Sequence, residues 1–161
     1  MAADGNDFRS KRFLTQHIKK CMDFYQPRYK DESGGFFHYF KDDGMIYNRK
    51  HRHLVSSTRF VFTSAMAYDE FKDPQYLENA KHGLRYLRDV HRNSETGGYA
   101  WTLMDHAPED ETYHAYGMAF ALLAYSTAMR VGVDGMLPHI DETWALLEER
   151  YWDAEYSLYR D

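Results

Sequence analysis

Hydrophobic and polar positions divide the chain into helices of two kinds. Three segments carry one apolar stripe with residues three and four apart, which is typical of amphipathic helices. They cover residues 8–28, residues 73–92 and residues 140–151 approximately. Two other segments, 54–68 and 115–129, are apolar or small on every side, with Arg59 as their only charge. The pattern predicts two layers, with the amphipathic helices facing solvent and the apolar helices enclosed inside.

Short aromatic strands are predicted between these helices. Residues 36–40 and 45–48 are β-prone and flank the turn-forming pair Asp43-Gly44, so we expect a β-hairpin. Residues 99–103 repeat this strand-like pattern, and an acidic loop is expected over residues 105–111. Asp73 is predicted to be the N-cap of the third helix, with Pro74 as its first residue.

The sequence also repeats itself at an offset of 63 residues. Gly34-Gly35-Phe36 recurs as Gly97-Gly98-Tyr99, and Ser64-Ala65-Met66 recurs as Thr127-Ala128-Met129. One outer helix, one hairpin and one inner helix cannot bury their own faces, so such units stack in arrays or rings. A third copy begins with the fifth helix, and six copies would close a ring of roughly 400 residues. We therefore expect residues 1–161 to be one N-terminal portion, about two and a half repeats, completed by further C-terminal repeats or by self-association.

Arg59 is the leading candidate for a functional side chain. A guanidinium within an apolar helix is expected to be desolvated, so it needs an anionic partner or several hydrogen-bond acceptors. One interpretation is a buried ion pair with an Asp or Glu of a neighbouring repeat. The other is a planar donor at the lip of the inner layer, which binds the hydroxyls or an oxyanion of a ligand. The sequence leaves both interpretations open.

Two aromatic residues are further candidates for the same site. Tyr116 opens the second apolar helix and could point its phenol into the same cavity as Arg59, with core packing as the alternative. Trp101 could stack on the face of a sugar, with packing inside its hairpin as the alternative.

The sequence contains no motif that predicts a metal site or a cofactor site. The chain has nine histidines, including His51, His53, His106 and His114, but we find neither the i, i+4 helical spacing nor the cysteine partnership of a recognised zinc motif. Cys21 is the only cysteine and is expected to serve in packing. Both Gly-Gly steps precede strands rather than helices, so no phosphate-binding loop is predicted. We expect no metal and no cofactor.

Charge and composition narrow the choice of partners. The net charge of −5 provides no general basic field for a nucleic acid or an anionic membrane. The uncharged segment 115–129 has fifteen residues, fewer than the roughly 20 of a membrane span, and residues 1–7 lack the pattern of a signal peptide. We expect no nucleic acid partner, no membrane partner and a reducing, cytoplasmic setting. Aromatic residues reach 17%, which suits either a sugar-binding cleft or a packed helical core.

Residues 51–62, His-Arg-His-Leu-Val-Ser-Ser-Thr-Arg-Phe-Val-Phe, resemble the N-acylglucosamine 2-epimerase superfamily, and most closely its mannose isomerase branch. The resemblance continues through residues 97–101 and 116–122 and covers essentially the whole chain. It implies an all-α fold, part of an (α/α)6 barrel with short β-hairpins in the loops. It also implies that Arg59 holds the oxygens of an open-chain sugar and of its enediolate, and that Tyr116 lines the pocket.

The reaction implied by the resemblance is the interconversion of D-mannose and D-fructose through a cis-enediol, with histidine as the acid and base. The family's acid/base histidines lie in later repeats, so none of the nine histidines is assigned and residues 1–161 alone are expected to be inactive. A monosaccharide is the expected ligand. Two alternatives stay open: a C2 epimerase of mannose and glucose or of a β-1,4 disaccharide, and a non-catalytic helical-repeat module that binds carbohydrate or protein.

Overall fold

The computed structural model describes residues 7–160, which form five α-helices and three small antiparallel sheets. The helices are α1 (Lys11–Tyr25), α2 (Leu54–Phe71), α3 (Pro74–Tyr86), α4 (Ala115–Arg130) and α5 (Leu137–Tyr151). The strands are β1 (Tyr39–Phe40), β2 (Ile46–Asn48), β3 (His51–His53), β4 (Thr102–Met104), β5 (Ala107–Asp110), β6 (Trp152–Asp153) and β7 (Leu158–Tyr159). Residues 1–6 and Asp161 lie outside the described residues. Residues 1–6 make up most of the N-terminal segment in which no signal peptide is predicted.

The helices form the two layers that the hydrophobic pattern predicts. In the inner layer α2 packs against α4, while α3 covers α2 and α5 covers α4 from outside. Helix α1 joins α2 through aromatic rings, because Tyr25 lies 5.3 Å from Phe60 between ring centres. At α3 the predicted start is confirmed, since the side chain of Asp73 accepts a hydrogen bond from the backbone N–H of Gln75 at 2.9 Å. Within residues 7–160, no helix combines the length and the apolar character needed to cross a bilayer.

The inner helices are open to solvent on one face, so the prediction that they are enclosed on every side was wrong. Met66 of α2 is 51% exposed, and Leu123 and Met129 of α4 are 42% and 44% exposed. The outer helices cover only one side of the inner layer, and no part of residues 7–160 covers the other. We call the surface formed by Met66, Leu123 and Met129 the open inner face.

Both hairpins between the helices are present, although one of them replaces a predicted loop. The first pairs β1 with β2 around Gly44, whose φ of 82° fits the expected Asp43-Gly44 turn. The acidic segment expected to be a loop is instead the second hairpin, with β4 and β5 joined by Asp105 and His106. These two residues have φ values of 50° and 65°, as the tight turn of a hairpin requires. Neither is glycine, so the turn had no strong sequence signal.

The repeat at an offset of 63 residues is a structural repeat. After α1, Phe36 forms an antiparallel bridge with Lys30, and after α3, Tyr99 forms the matching bridge with Arg92. Each of the outer helices α1, α3 and α5 is followed by a pair of antiparallel strands. These pairs are β1 with β2, β4 with β5, and β6 with β7. The repeating unit is therefore an outer helix followed by a hairpin, with an inner helix after the first two of them.

The end of α3 contains an element that the sequence did not predict. Residues Leu87–His91 form one π-helical turn, which is wider than an α-helical turn by one residue. The turn brings His91 into the core, where only 1% of the residue is exposed.

The crossing of α2 and α3 depends on Gly83. A Cβ atom there would lie 2.6 Å from a methyl carbon of Val61 and closer still to the ring of Phe36, and both side chains are fully buried. We expect Gly83→Ala to lower the free energy of unfolding by about 1–3 kcal/mol, although alanine alone favours a helix over glycine. Urea denaturation measures the change. Glu78→Ala, on the exposed side of α3, serves as the control, and equal stability of the two variants would contradict the prediction.

Candidate functional site

Arg59 lies in the second turn of α2, and its side chain is exposed. The expectation of a desolvated guanidinium was wrong, because this position lies on the open side of α2. Among the described residues, no carboxylate forms an ion pair with it. The buried ion-pair interpretation therefore has no partner within residues 7–160, and the ligand-binding interpretation stays a prediction.

A ring on the neighbouring inner helix holds Arg59 in place. Its guanidinium carbon lies 5.0 Å from the ring centre of Phe120 on α4, a cation–π distance. The ring of Tyr116 lies 4.9 Å from the same Phe120 ring, one helical turn nearer the start of α4. Tyr116 is 50% exposed, so core packing does not account for its position. The structure thus brings Arg59 and Tyr116 together through Phe120.

A second row of rings crosses the N-terminal ends of the same two helices. Trp101 is partly buried and lies between His53, which precedes α2, and His114, which precedes α4, at 4.4 and 4.5 Å between ring centres. A Cβ atom on Gly117 would lie 3.3 Å from the Trp101 ring, so glycine allows the ring to rest against α4. We call the combined surface the inner mouth, and it consists of Arg59, Phe120, Tyr116, His53, Trp101 and His114.

A cavity of about 330 Å³ adjoins Arg59 on the side facing α1. This volume is at the lower end of the range of about 300–1,000 Å³ typical of small-molecule sites. Four of its nine lining residues carry aromatic rings, and Arg59 is the only charged side chain among the nine. The lining residues are Cys21, Met22, Tyr25, Tyr29, His38, Ser56, Arg59, Phe60 and Thr63.

His38, in the cavity wall, begins a hydrogen-bonded chain that runs into the core. The carbonyl of Ala100 can only accept, so the Nδ1 of His91, 3.0 Å away, must carry a proton. In the neutral ring, Nε2 of His91 then accepts from the Ser57 hydroxyl at 2.9 Å. Nδ1 of His38 accepts from the backbone N–H of His53 at 3.1 Å, so its Nε2 donates to Ser57 at 3.4 Å. Both rings therefore use both nitrogens.

The burial of these two histidines keeps them neutral. Burial lowers the pKa of His91 to about 4, and burial together with the charge of Arg52 lowers the pKa of His38 to about 2. A base that accepts a proton from carbon near pH 7 needs a much higher pKa. We therefore assign His38 and His91 to structure.

The buried guanidinium of this protein belongs to Arg52, which the sequence reasoning did not single out. Arg52 is fully buried, and its Nη2 donates to the carboxylate of Asp31 at 2.6 Å. Its other terminal nitrogen donates to two backbone carbonyls at 2.7 and 3.1 Å, and its guanidinium carbon lies 4.9 Å from the ring centre of Phe37. The alternation of side chains along a strand could have indicated that Arg52 is buried, because neighbouring residues of β3 point to opposite faces of the sheet.

The prediction that Cys21 serves in packing was wrong, whereas the expectation of no metal site stays a prediction. His17 and Cys21 lie four residues apart on α1, with Nε2 3.8 Å from Sγ. Cys21 is exposed rather than packed. Within residues 7–160, however, no group of three His, Cys, Asp or Glu side chains is arranged to hold a metal ion.

Other histidines connect the hairpins to the rest of the protein. Nδ1 of His51 is hydrogen-bonded to the hydroxyl of Tyr39, and its Nε2 lies 3.3 Å from the carboxylate of Glu109. His106, in the turn between β4 and β5, is hydrogen-bonded to the hydroxyl of Tyr86 at 2.8 Å. These contacts fix the hairpins at the end of the inner layer that carries the inner mouth.

The inner mouth therefore combines hydrogen-bond donors with aromatic faces. The guanidinium of Arg59 has five N–H groups in one plane, and Tyr116 adds a hydroxyl. Aromatic rings that carry polar groups suit ligands with both apolar faces and hydroxyls. The surface fits a small polyhydroxylated ligand better than a purely apolar one.

The layered helical hairpins are the architecture of part of an (α/α)6 barrel, as the solved structures of similar proteins establish. Residues 35–161 match the model of the N-acylglucosamine 2-epimerase family. The chain belongs to this family, which confirms the resemblance and the fold class predicted from the sequence.

The relatives of known activity are sugar isomerases and epimerases. The D-mannose isomerase of Marinomonas mediterranea is 47% identical over 154 residues, which cover 96% of this chain and 39% of that protein. The cellobiose 2-epimerase of Eubacterium cellulosolvens is 30% identical over 112 residues, 69% of this chain and 28% of that protein. A crystal structure of a D-mannose isomerase has a TM-score of 0.95 at 46% identity, covering 98% of this chain and 40% of that chain. The chain thus spans about two fifths of the length of these mannose isomerases.

Proposed function

We propose that the chain forms the first part of a sugar isomerase that interconverts D-mannose and D-fructose. The observation that carries this proposal is the exposed guanidinium of Arg59, which lies 5.0 Å from the ring centre of Phe120 beside Tyr116 and pairs with no carboxylate of residues 7–160. The 47% identity with a D-mannose isomerase supports the choice of sugar.

In the proposed reaction a proton leaves C2 of the open-chain sugar, a cis-enediol forms, and a proton returns to C1. Negative charge develops on the sugar oxygens during proton removal, so fixed donors near those oxygens lower the barrier. The planar guanidinium of Arg59 can donate to two neighbouring oxygens at once. We assign Arg59 to binding and charge stabilisation, Tyr116 to a hydroxyl contact and Trp101 to an apolar face for the sugar.

We assign the proton transfer to histidines outside residues 1–161. His38, the histidine in the cavity lining, has both ring nitrogens in hydrogen bonds and a pKa of about 2. Residues 1–161 would then be the N-terminal portion, about two and a half repeats, of an (α/α)6 barrel in a cytoplasmic enzyme. Further hairpins of the same ring, or a second copy of the chain, would cover the open inner face.

A chimera tests this proposal directly. Residues 1–161 are fused to the remaining three fifths of the Marinomonas mediterranea D-mannose isomerase, which supplies the other hairpins. We expect the chimera to form D-fructose from D-mannose in D2O and to incorporate deuterium at C1 of the D-fructose and at C2 of the recovered D-mannose, whereas residues 1–161 alone do neither. Arg59→Ala is expected to lower kcat/KM at least about 10-fold, since it removes the donor to the developing charge.

Arg85→Ala is the control for this experiment, because Arg85 is an exposed arginine on the outer helix α3. We expect the control to retain the kcat/KM of the chimera. An active chimera whose kcat/KM is unchanged by Arg59→Ala would contradict the role assigned to Arg59.

Two other functions would give different products in the same assay. A C2 epimerase, favoured by the 30% identity with a cellobiose 2-epimerase, would form D-glucose from D-mannose and would also exchange the C2 proton. A non-catalytic binding module would bind the sugar without deuterium uptake. The product therefore separates the isomerase from the epimerase, and deuterium uptake separates both from the module.

A further inference from the structure

His53 occupies a defined position in the inner mouth. It ends β3 and is the N-cap residue of α2, and its ring meets the ring of Trp101 edge-on at 4.4 Å between centres. Gly117, where an added Cβ atom would lie 3.3 Å from the Trp101 ring, directly follows Tyr116. His53 is thus connected by direct packing to the surface that carries Tyr116 and Arg59.

The hydrogen bonds of His53 determine which ring nitrogen carries the proton. Its Nδ1 accepts from the backbone N–H of Val55 at 3.2 Å, and a backbone N–H can only donate. A neutral ring must therefore carry its proton on Nε2. Burial, with the charges of neighbouring groups that include Arg59, lowers the pKa of His53 and so favours the neutral ring.

The Nε2–H group of His53 is a donor directed away from the helix. None of the described residues accepts a hydrogen bond from it, and the ring is only partly buried. The cap bond to Val55 and the contact with Trp101 restrict the ring, so the donor has a fixed direction. A fixed, neutral donor suits a hydroxyl or carbonyl oxygen, which makes an uncharged sugar a better ligand for it than a cation.

We propose that the Nε2–H of His53 is a second, uncharged hydrogen-bond donor of the sugar site, which binds a different oxygen of the sugar from the one that Arg59 binds. This inference rests on the proposed function, because it takes the inner mouth as the sugar site. One donor at the N-cap of α2 and one in its second turn would recognise the relative placement of two sugar oxygens. His53 would therefore be a binding residue that contributes to the choice of sugar.

Two substitutions separate this donor from the cap. His53→Asn retains an acceptor at the position of Nδ1, so it preserves the cap but lacks the distal donor. His53→Gln places an amide N–H near the position of Nε2 and loses the cap. We expect His53→Asn to weaken the binding of D-mannose and D-fructose about 5- to 10-fold, and His53→Gln to bind within about 2- to 3-fold of the unmodified chain.

The measurement is an NMR titration of the 161-residue chain with each sugar, with His17→Asn, at an exposed position of α1, as the matched control. In the unmodified chain we expect ¹⁵N spectra to show His53 protonated on Nε2, and its resonance to shift on addition of sugar while that of His17 does not. This measurement needs no substitution, so it stays decisive if His53→Asn fails to fold.

The outcomes separate this inference from the proposed function. If the chain binds sugar and Arg59→Ala weakens binding while His53→Asn does not, only the role of His53 is overturned. Equal losses in His53→Asn and His53→Gln would attribute the effect to general disturbance of the site and also overturn it. If the unmodified chain binds neither D-mannose nor D-fructose, the inference about His53 is overturned, and the activity of the chimera decides the proposed function separately.

Discussion

The variant Asp31→Ala is expected to lower the free energy of unfolding by about 3–5 kcal/mol. It leaves the guanidinium of Arg52 fully buried without its anionic partner, which lies 2.6 Å away in the unmodified chain. Two backbone carbonyls and the ring of Phe37 remain near Arg52, but none of them carries a full negative charge. The substitution also removes the acceptor of the Ser33 hydroxyl. Urea denaturation at pH 7 measures the loss.

A surface ion pair provides the matched control for Asp31→Ala. Lys50 lies two residues before Arg52 and pairs with Asp105 at 2.9 Å, but both side chains are more than half exposed. Lys50→Ala is therefore expected to lower the free energy of unfolding far less than Asp31→Ala does. The double variant Asp31→Leu with Arg52→Met removes both charges and should recover much of the stability that Asp31→Ala loses. Equal stability of Asp31→Ala and Lys50→Ala would show that Arg52 does not depend on its carboxylate.

The contrast between Arg52 and Arg59 shows what the hydrophobic pattern can and cannot predict. Arg59 stands in an apolar helix, so the pattern predicted burial, yet the exposure of each helix face depends on which other elements cover it. Arg52 stands among Arg49, Lys50 and two histidines, a stretch that looks solvated in sequence. Its burial follows from the three-residue strand β3, which directs alternate side chains to opposite faces of the sheet.

The helices themselves were predictable because periodicity and caps are local. Asp73 and Pro74 mark the start of α3 as expected, and α4 covers Ala115–Arg130 where the uncharged run predicted it. The turn at Asp105 and His106 was missed because its backbone angles usually require glycine or asparagine.

The site was predictable only in part, because it joins distant segments. Sequence reasoning offered Tyr116 for the same cavity as Arg59 and Trp101 for stacking on a sugar. The structure links Arg59 to Tyr116 through Phe120, whereas the cavity beside Arg59 is lined by neither Tyr116 nor Trp101. The chain of His38, Ser57 and His91 could not be predicted, because it depends on the π-helical turn Leu87–His91. A helical turn that is wider by one residue leaves no strong signal in the composition of a sequence or in the spacing of its apolar residues.

Lowering the pH from 7 to 5 is expected to destabilise the protein through this buried histidine chain. The pKa of His91 is about 4 in the folded protein and about 6.5 in an unfolded chain, so the unfolded state takes up protons first as the pH falls. The stabilising contribution is complete above about pH 6.5 and is lost as the pH falls towards 4. Between pH 7 and 5, His91 alone accounts for about 2 kcal/mol, and His38 acts in the same direction.

This pH window separates the histidines from the carboxylates. Burial alone would raise the pKa of Asp31, but hydrogen bonds from Ser33 and the charge of Arg52 hold it below its usual value. The stabilisation that Asp31 provides is therefore present throughout the range from pH 7 to 5 and is lost only at lower pH. Urea denaturation at pH 7, 6 and 5 thus reports on groups that titrate as histidine does.

The variant His91→Gln tests the assignment to His91. A glutamine amide can still hydrogen-bond to Ser57 from the position of Nε2 but cannot take up a proton, so we expect the loss of stability between pH 7 and 5 to fall by about 2 kcal/mol. A different starting stability of the variant at pH 7 does not affect the comparison, since only the slope with pH is used. His17→Gln, at an exposed position, should retain the full slope. If His91→Gln has the same slope as the unmodified chain, His91 is protonated to the same degree in the folded and unfolded states. The assignment of His91 as a buried, neutral imidazole behind the cavity would then be wrong.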